Sequence, residues 1–361
     1  MKLLACTLIF FTCFSNITFS QTDSSALSFT FSGYAEPYYG YDFNQPEDGY
    51  RPGFIYSHDR HNEFNINIAF LKAAVQTKRM RGNLALMAGT YPNSNLSVEP
   101  NTLRNIFEAN AGVKISKNHE LWVDGGIFSS HIGFESAVGK DCWTLTRGLM
   151  AENSPYYEAG AKLSYATPDG KWFFSALALN GWQRIRRVEG NSLLSGGWQV
   201  TFKPNERITL NSSGFLGTDR PDDSRLIRSF HNLYGIFQFN DQFGLIAGID
   251  TGWEENPREG ENPNMWYSPV VIGRYTVNDR LALAGRVEYY ADENGVILST
   301  GTENGFKTLG ISANLDVQIH KNAVWRIEGK IFNSKDDIFV KENGDATNSN
   351  AVLTTALAVW F

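Results

Sequence analysis

Along most of this chain, apolar and polar residues take turns one by one. Leu309, Ile311, Ala313, Leu315 and Val317 alternate with Gly310, Ser312, Asn314, Asp316 and Gln318. Trp325, Ile327 and Ile331 alternate with Arg326, Glu328 and Lys330 in the same way. A period of two puts successive side chains on opposite faces of a β-strand, and no long segment carries the helical period instead. The connections between these segments fall into two classes. Short polar turns occur at Lys78–Gly82, Ser116–Asn118, Pro168–Lys171, Lys203–Glu206, Asn240–Gln242, Val277–Arg280 and His320–Asn322. Each holds Asn, Asp, Gly, Pro or Ser, the residues that tight hairpins favour. Long polar loops fall between them, around residues 42–61, 92–104, 131–155, 184–192, 218–228, 254–264, 292–304 and 334–349. Seven turns and eight loops join sixteen strands. A soluble sandwich has no reason to sort its loops by length in alternation, whereas an outer-membrane barrel keeps short turns at the periplasmic end and long loops outside. The expected fold is therefore all-β: a transmembrane, antiparallel, up-and-down barrel of about sixteen strands.

Strands of ten to fourteen residues are long enough to cross the hydrocarbon at a tilt. Their backbone must pair within the sheet because lipid offers no partner, so the sheet has to close on itself. Aromatics near strand ends predict interfacial girdles: Phe29, Tyr39, Phe64, Tyr157, Tyr165, Trp198, Phe202, Phe239, Phe243, Tyr267, Tyr275, Trp325 and Phe361. Phe361 closes the last strand on its lipid face and is expected to serve as a signal for the barrel-assembly machinery.

The N-terminus sets the compartment. Met1-Lys2, the apolar run Leu3 to Phe14 and the small residues of Thr18-Phe19-Ser20 form a signal-peptide pattern, with cleavage expected after Ser20 and a barrel over 21–361. Cys6 follows Leu3-Leu4-Ala5 like a lipoprotein box, but it precedes the apolar run and the match is accidental. No later run of eighteen apolar residues exists, so no transmembrane helix is expected. Once Cys6 and Cys13 are removed only Cys142 remains, which leaves no intramolecular disulfide. Net charge is -6 and the pI about 5.6, which exclude a nucleic-acid partner on charge grounds. Aromatics at 14% and 33 glycines, with a mean hydropathy of -0.29, fit a barrel that shows lipid only half of its side chains.

Two segments carry a family likeness. Ser32-Gly-Tyr-Ala-Glu-Pro-Tyr-Tyr-Gly-Tyr-Asp-Phe-Asn44 is followed by Arg60-His-Asn-Glu-Phe-Asn-Ile-Asn-Ile-Ala-Phe70. Further on come Gly126-Ile-Phe, Gly133-Phe-Glu135, Trp143-Thr-Leu-Thr-Arg147 and Pro155-Tyr-Tyr-Glu-Ala-Gly160, then Tyr165. These resemble the start and the middle of the β-barrel porins of the OmpL-like family, in the style of Bacteroidota outer-membrane proteins. Gly148 stands where a Ser is expected. The resemblance implies a porin in the outer membrane, among lipid and lipopolysaccharide, and carries no defined substrate.

Parity places Glu36, Lys114, Lys162, Arg274, Arg286, Glu288, Arg326, Glu328 and Lys330 on the inner face. Charges of both signs imply a wet lumen with a transverse field. Loop 131–155 combines Glu135, Lys140, Asp141, Arg147 and Glu152 with Trp143, Leu145, Leu149 and Met150. An apolar anchor lets such a loop fold into the barrel, with Trp143, Leu145 and Leu149 on one face of a short helix, and narrow the pore. The densest basic run, Gln183-Arg-Ile-Arg-Arg187, faces either the eyelet or the outer surface. The sequence thus predicts passive diffusion of small hydrophilic solutes through a water-filled barrel, in the manner of porins that are frequently homotrimers. Two rivals stand beside it: a surface-binding barrel using its outer loops, and a lipid hydrolase using Ser129, Ser130 and His131. Neighbours in a strand point to opposite faces, which weakens the second rival. His58 and His61 lack a third ligand, and nothing activates the Cys142 thiol, so no metal, cofactor or enzymatic activity is expected.

Overall fold

In the computed structural model, residues 27–258 and 260–361 are described; the expected signal peptide lies outside them. Sixteen antiparallel strands close a barrel. Strands β1 (Ser28–Asp42), β2 (Phe64–Gln76), β3 (Met80–Ala88), β4 (Ile106–Lys114) and β5 (Glu120–Ser129) lead into the third long loop. They are followed by β6 (Tyr157–Ala166), β7 (Trp172–Leu179), β8 (Ser195–Asn205), β9 (Ile208–Gly217) and β10 (Arg228–Gln238). Then come β11 (Phe243–Glu254), β12 (Asn264–Asn278), β13 (Leu281–Asp292), β14 (Phe306–His320) and β15 (Ala323–Ser334). The eighth long loop carries a two-stranded hairpin of its own, β16 (Phe339–Val340) with β17 (Ala346–Thr347), before β18 (Ser349–Trp360) completes the wall. Each strand pairs with its sequence neighbours in the wall, and β18 pairs with β1.

Local chemistry sets the turns. Thr77 Oγ1 accepts from the Arg79 and Met80 amides, Asn240 Oδ1 from Gln242 and Phe243, and Asn278 Oδ1 from Arg280 and Leu281. Such side-chain turns reverse the chain within two or three residues and fix the register of the strands on either side. At the seam, the Phe361 amide donates to Gly33 O at 3.1 Å, Phe361 O accepts from the Gly33 amide at 3.2 Å, and the Phe361 ring lies over Gly33. A side chain at Gly33 would collide with that ring, so the close approach requires glycine there.

The outward set is apolar and exposed, including Leu71, Leu84, Val113, Leu216, Val271, Val287 and Ile331. Trp172, Phe174 and Phe202 form one patch of the periplasmic girdle, with Trp172 stacked on Phe202 at 4.2 Å. Tyr157 departs from the expected girdle. It is buried, and its hydroxyl donates to Glu99 at the base of the outer loops. In β2 an extra residue at Asn67–Ile68 opposes Glu36 of β1, so both side chains turn inward; Pro37, which lacks an amide for the ladder, sits at that bulge.

Candidate lumen site

The loop from Ser130 to Tyr156 turns into the barrel. At its entry, His131 faces Glu158 of β6 through Nδ1 at 2.8 Å and Gly214 O of β9 through Nε2 at 2.9 Å. Both ring nitrogens are thus engaged, while Ser129 donates to Glu108 and Ser130 to Glu158, so no serine here has a histidine base. Beyond Gly133 the loop is anchored by its apolar side chains. Phe134, Trp143 and Met150 pack on the inward Ile236, Ile246, Val270 and Ile272 of β10 to β12. Leu145 meets Tyr38 of β1 and Ala356 of β18 on the other side. With these contacts the loop leans on the arc of wall that runs from β10 to β1.

Its buried backbone is irregular and needs hydrogen-bond partners. The charges of β13 to β15 supply them. Arg286 donates to Thr146 O, Thr144 Oγ1 and Thr146 Oγ1, and pairs with Glu328 at 3.0 Å and Glu135 at 3.4 Å. Arg326 donates to Gly139 O and Cys142 O and is held by Asp316 at 2.6 Å. Lys330 donates to Arg147 O and pairs with Glu288. In the other direction, Glu328 accepts the Thr146 amide, Glu288 that of Leu149, and Asn314 that of Leu145. These residues lie on the inner face, as their parity requires, but they do not line a wet wall. Glu36, Arg286, Glu288, Arg326, Glu328 and Lys330 are at most 2% exposed, sealed beneath the loop instead of facing water.

Within the loop, the expected helical face is also corrected. Gly139–Asp141 forms one 3-10 turn, and α1 covers Thr90–Asn95 in the second loop, while here only Leu149–Glu152 (α2) is α-helical. Trp143 and Leu145 precede it in a run of bends, because the amides of Leu145 and Thr146 donate to Asn314 and Glu328 and their carbonyls accept from Arg147 and Arg286. Of the five loop charges, Lys140 and Asp141 alone keep substantial exposure and pair with each other at 2.6 Å. Arg147 is buried and donates to Ser136 O, Leu145 O and Ala137 O. Glu135 accepts the Gly148 amide, and burial raises its carboxyl above the usual range. Glu152 accepts the amides of Tyr56 and Ser57, tying the first loop to the third, and burial pushes it up to about 7.

The first, second and fourth loops close over this plug through carboxylates that pattern reading passed by. Asp59 accepts Tyr38 and Ser94 hydroxyls, and Glu99 accepts the Ile185 and Arg186 amides. The basic run thereby splits, with Ile185 buried and Arg184 facing Asp219 at 3.7 Å. Glu36 holds His58 Nε2 at 3.0 Å and Asn67, and His61 accepts the Asp42 amide, so the two histidines point to different partners. Among the described residues no cluster has metal-ligand geometry.

On the facing wall the inward charges keep some exposure. Lys72 pairs with Glu108, Arg81 with Asp124 and Lys114 with Glu120, while Lys162 lies over the Phe128 ring at 4.6 Å. Toward the periplasmic end, Arg274 pairs with Asp316 at 3.2 Å and lines a cavity of about 310 Å³ with Lys140 and Arg326.

The barrel shares its fold with solved outer-membrane proteins. The anion-selective porin of Comamonas acidovorans superposes with a TM-score of 0.59 at 10% identity, covering 93% of this chain and all of that one. OmpT of Vibrio cholerae gives 0.60 at 10% identity, covering 94% of this chain and 99% of its own. The channel DcaP of Acinetobacter baumannii gives 0.59 at 12% identity, covering 93% and 97%. No curated relative matches the sequence. The family model described as "Putative beta-barrel porin-2, OmpL-like" matches residues 28–361, nearly all of the barrel, and the chain belongs to that outer-membrane porin family.

Proposed function

We propose that this porin conducts small hydrophilic solutes passively and that loop 131–155 sets its cut-off. One observation carries the reading. The loop is stitched to the wall at β13–β15, while Lys72, Arg81, Lys114 and Lys162 keep exposure on strands β2 to β6, which the loop meets through the small side chains Ala137, Val138 and Ala151. Solutes pass between those strands and the loop, with Lys140 and Asp141 on the loop's open side. A segment with its own apolar anchor and buried clamps narrows the lumen without blocking assembly of the strands. Export by cleavage after Ser20, insertion guided by Phe361 and assembly as a homotrimer complete the proposal; OmpT of Vibrio cholerae is described in a trimer form. The test is conductance of the refolded protein in planar lipid bilayers. Discrete current steps are expected, and a barrel that folds and inserts without any steps defeats the channel reading.

A further inference from the structure

At the outer end, loops 43–63, 293–305 and 335–348 enclose a cavity of about 860 Å³. That volume lies within the range of small-molecule sites. One side is apolar, formed by Phe54, Leu298, Phe306 and Phe339, with Phe54 edge-on to Phe306 at 4.9 Å. The other side holds Asp42, Arg51 and Asn350, each no more than 4% exposed. Buried polar groups are normally satisfied. These are not: Arg51 Nε and Nη2, Asp42 Oδ2 and Asn350 Oδ1 find no hydrogen-bond partner among the described residues. Arg51 Nε stands 4.0 Å from Asp42 Oδ2, too far for a hydrogen bond.

The cluster is short of acceptors for Arg51 and of donors for Asp42 and Asn350. Its two charges offset each other. A carboxylate or phosphate would satisfy Arg51 yet face Asp42, and Glu47, Asp48 and Asp337 also line the cavity against Lys341. An ammonium group would satisfy Asp42 and oppose Arg51. A hydroxyl accepts and donates at once, and a ring of hydroxyls with an apolar face matches both sides of the cavity. We propose that this cavity binds a neutral saccharide, its hydroxyls on Arg51, Asp42 and Asn350 and its apolar face against Phe54 and Phe339. The proposal names a solute for the channel reading but is measured without current, so the two fail separately.

The test is calorimetric titration of the detergent-solubilised full chain with maltotriose, xylotriose and chitotriose. At least one is expected to bind saturably, while triethylene glycol does not. Arg51→Met should weaken that binding about tenfold, as should Asn350→Ala, in protein whose folding is verified by heat-modifiable electrophoretic mobility. Should Arg51→Met fail to fold, Asn350→Ala decides alone. Absence of binding by all three sugars, binding unchanged in the folded variants, or tighter binding of phosphate, succinate or lysine overturns the proposal.

Discussion

Arg147 shows how one side chain shapes an irregular segment. It is buried without a carboxylate in ion-pair range among the described residues, and it spends its guanidinium on three carbonyls of its own loop. Replacing it with Met leaves Leu145 O and Ala137 O without that donor and Ser136 O with only the weak Cys142 thiol, at about 3 kcal/mol in total. Arg147→Met is therefore expected to lower the thermal midpoint in detergent and to add flicker to the single-channel current. Arg147→Lys should rescue little, because an ammonium lacks the planar fork that reaches three acceptors. A current as quiet as that of the wild type would remove the clamp role. Glu152 makes a separate prediction through pH. Its folded value, pushed up to about 7 by burial, lies above the unfolded value of about 4.3. A raised value means that the contribution is full below the unfolded pKa and is lost as pH rises through about 7. The interval corresponds to about 4 kcal/mol. The midpoint should fall as the pH rises from about 4.3 to about 7 and level off above, and Glu152→Gln, which still accepts the Tyr56 and Ser57 amides, should flatten that fall. Equal slopes for variant and wild type would contradict the assignment.

At the level of elements, strands and loops obey different information. A strand is announced by a period of two and bounded by side-chain turns such as Asn240 and Asn278, all of it local in sequence; hence the wall and its sixteen strands were readable from the chain. Parity also told that Arg286, Glu288, Arg326, Glu328 and Lys330 face inward. It could not tell what they meet, because Arg286 finds Thr146 and Arg326 finds Gly139 far away along the chain. The same holds for Trp143 and Leu145, whose spacing suggested a helix while distant side chains claimed the backbone groups that a helix needs. Asp59 and Glu99 carried no signal at all, since a lone carboxylate in a polar loop looks solvated until the loops are stacked. If the third loop is the constriction, excising Gly139–Met150 with a short Gly-Ser bridge should raise the unit conductance severalfold. Removing the β16–β17 hairpin at the rim should leave it nearly unchanged. Equal conductance after both deletions would place the narrowest point elsewhere.

For the whole molecule, the net charge of -6 says little about what the pore prefers, because the acidic groups inside are largely spent. Glu288 and Glu328 accept loop amides and pair with buried cations, and Glu36 holds His58 and Asn67. Two of the cations that keep exposure are less fully matched. Lys162 rests on an aromatic ring, and Arg274 shares Asp316 with Arg326. The periplasmic-end cavity is lined by Lys140, Arg274, Arg280 and Arg326 against Asp279 and Asp316, four cations to two carboxylates. Fixed charges at a wall a few ångströms from the permeating ion act within one Debye length, about 8 Å at physiological salt, so this local excess outweighs the acidic exterior. The porin should therefore favour anions modestly. In a potassium chloride gradient the reversal potential should carry the sign of chloride preference. Lys162→Gln together with Arg274→Gln should move it toward zero, and raising the salt should shrink it in both proteins. A reversal potential of cation sign would overturn this preference and the part that Lys162 and Arg274 play in it.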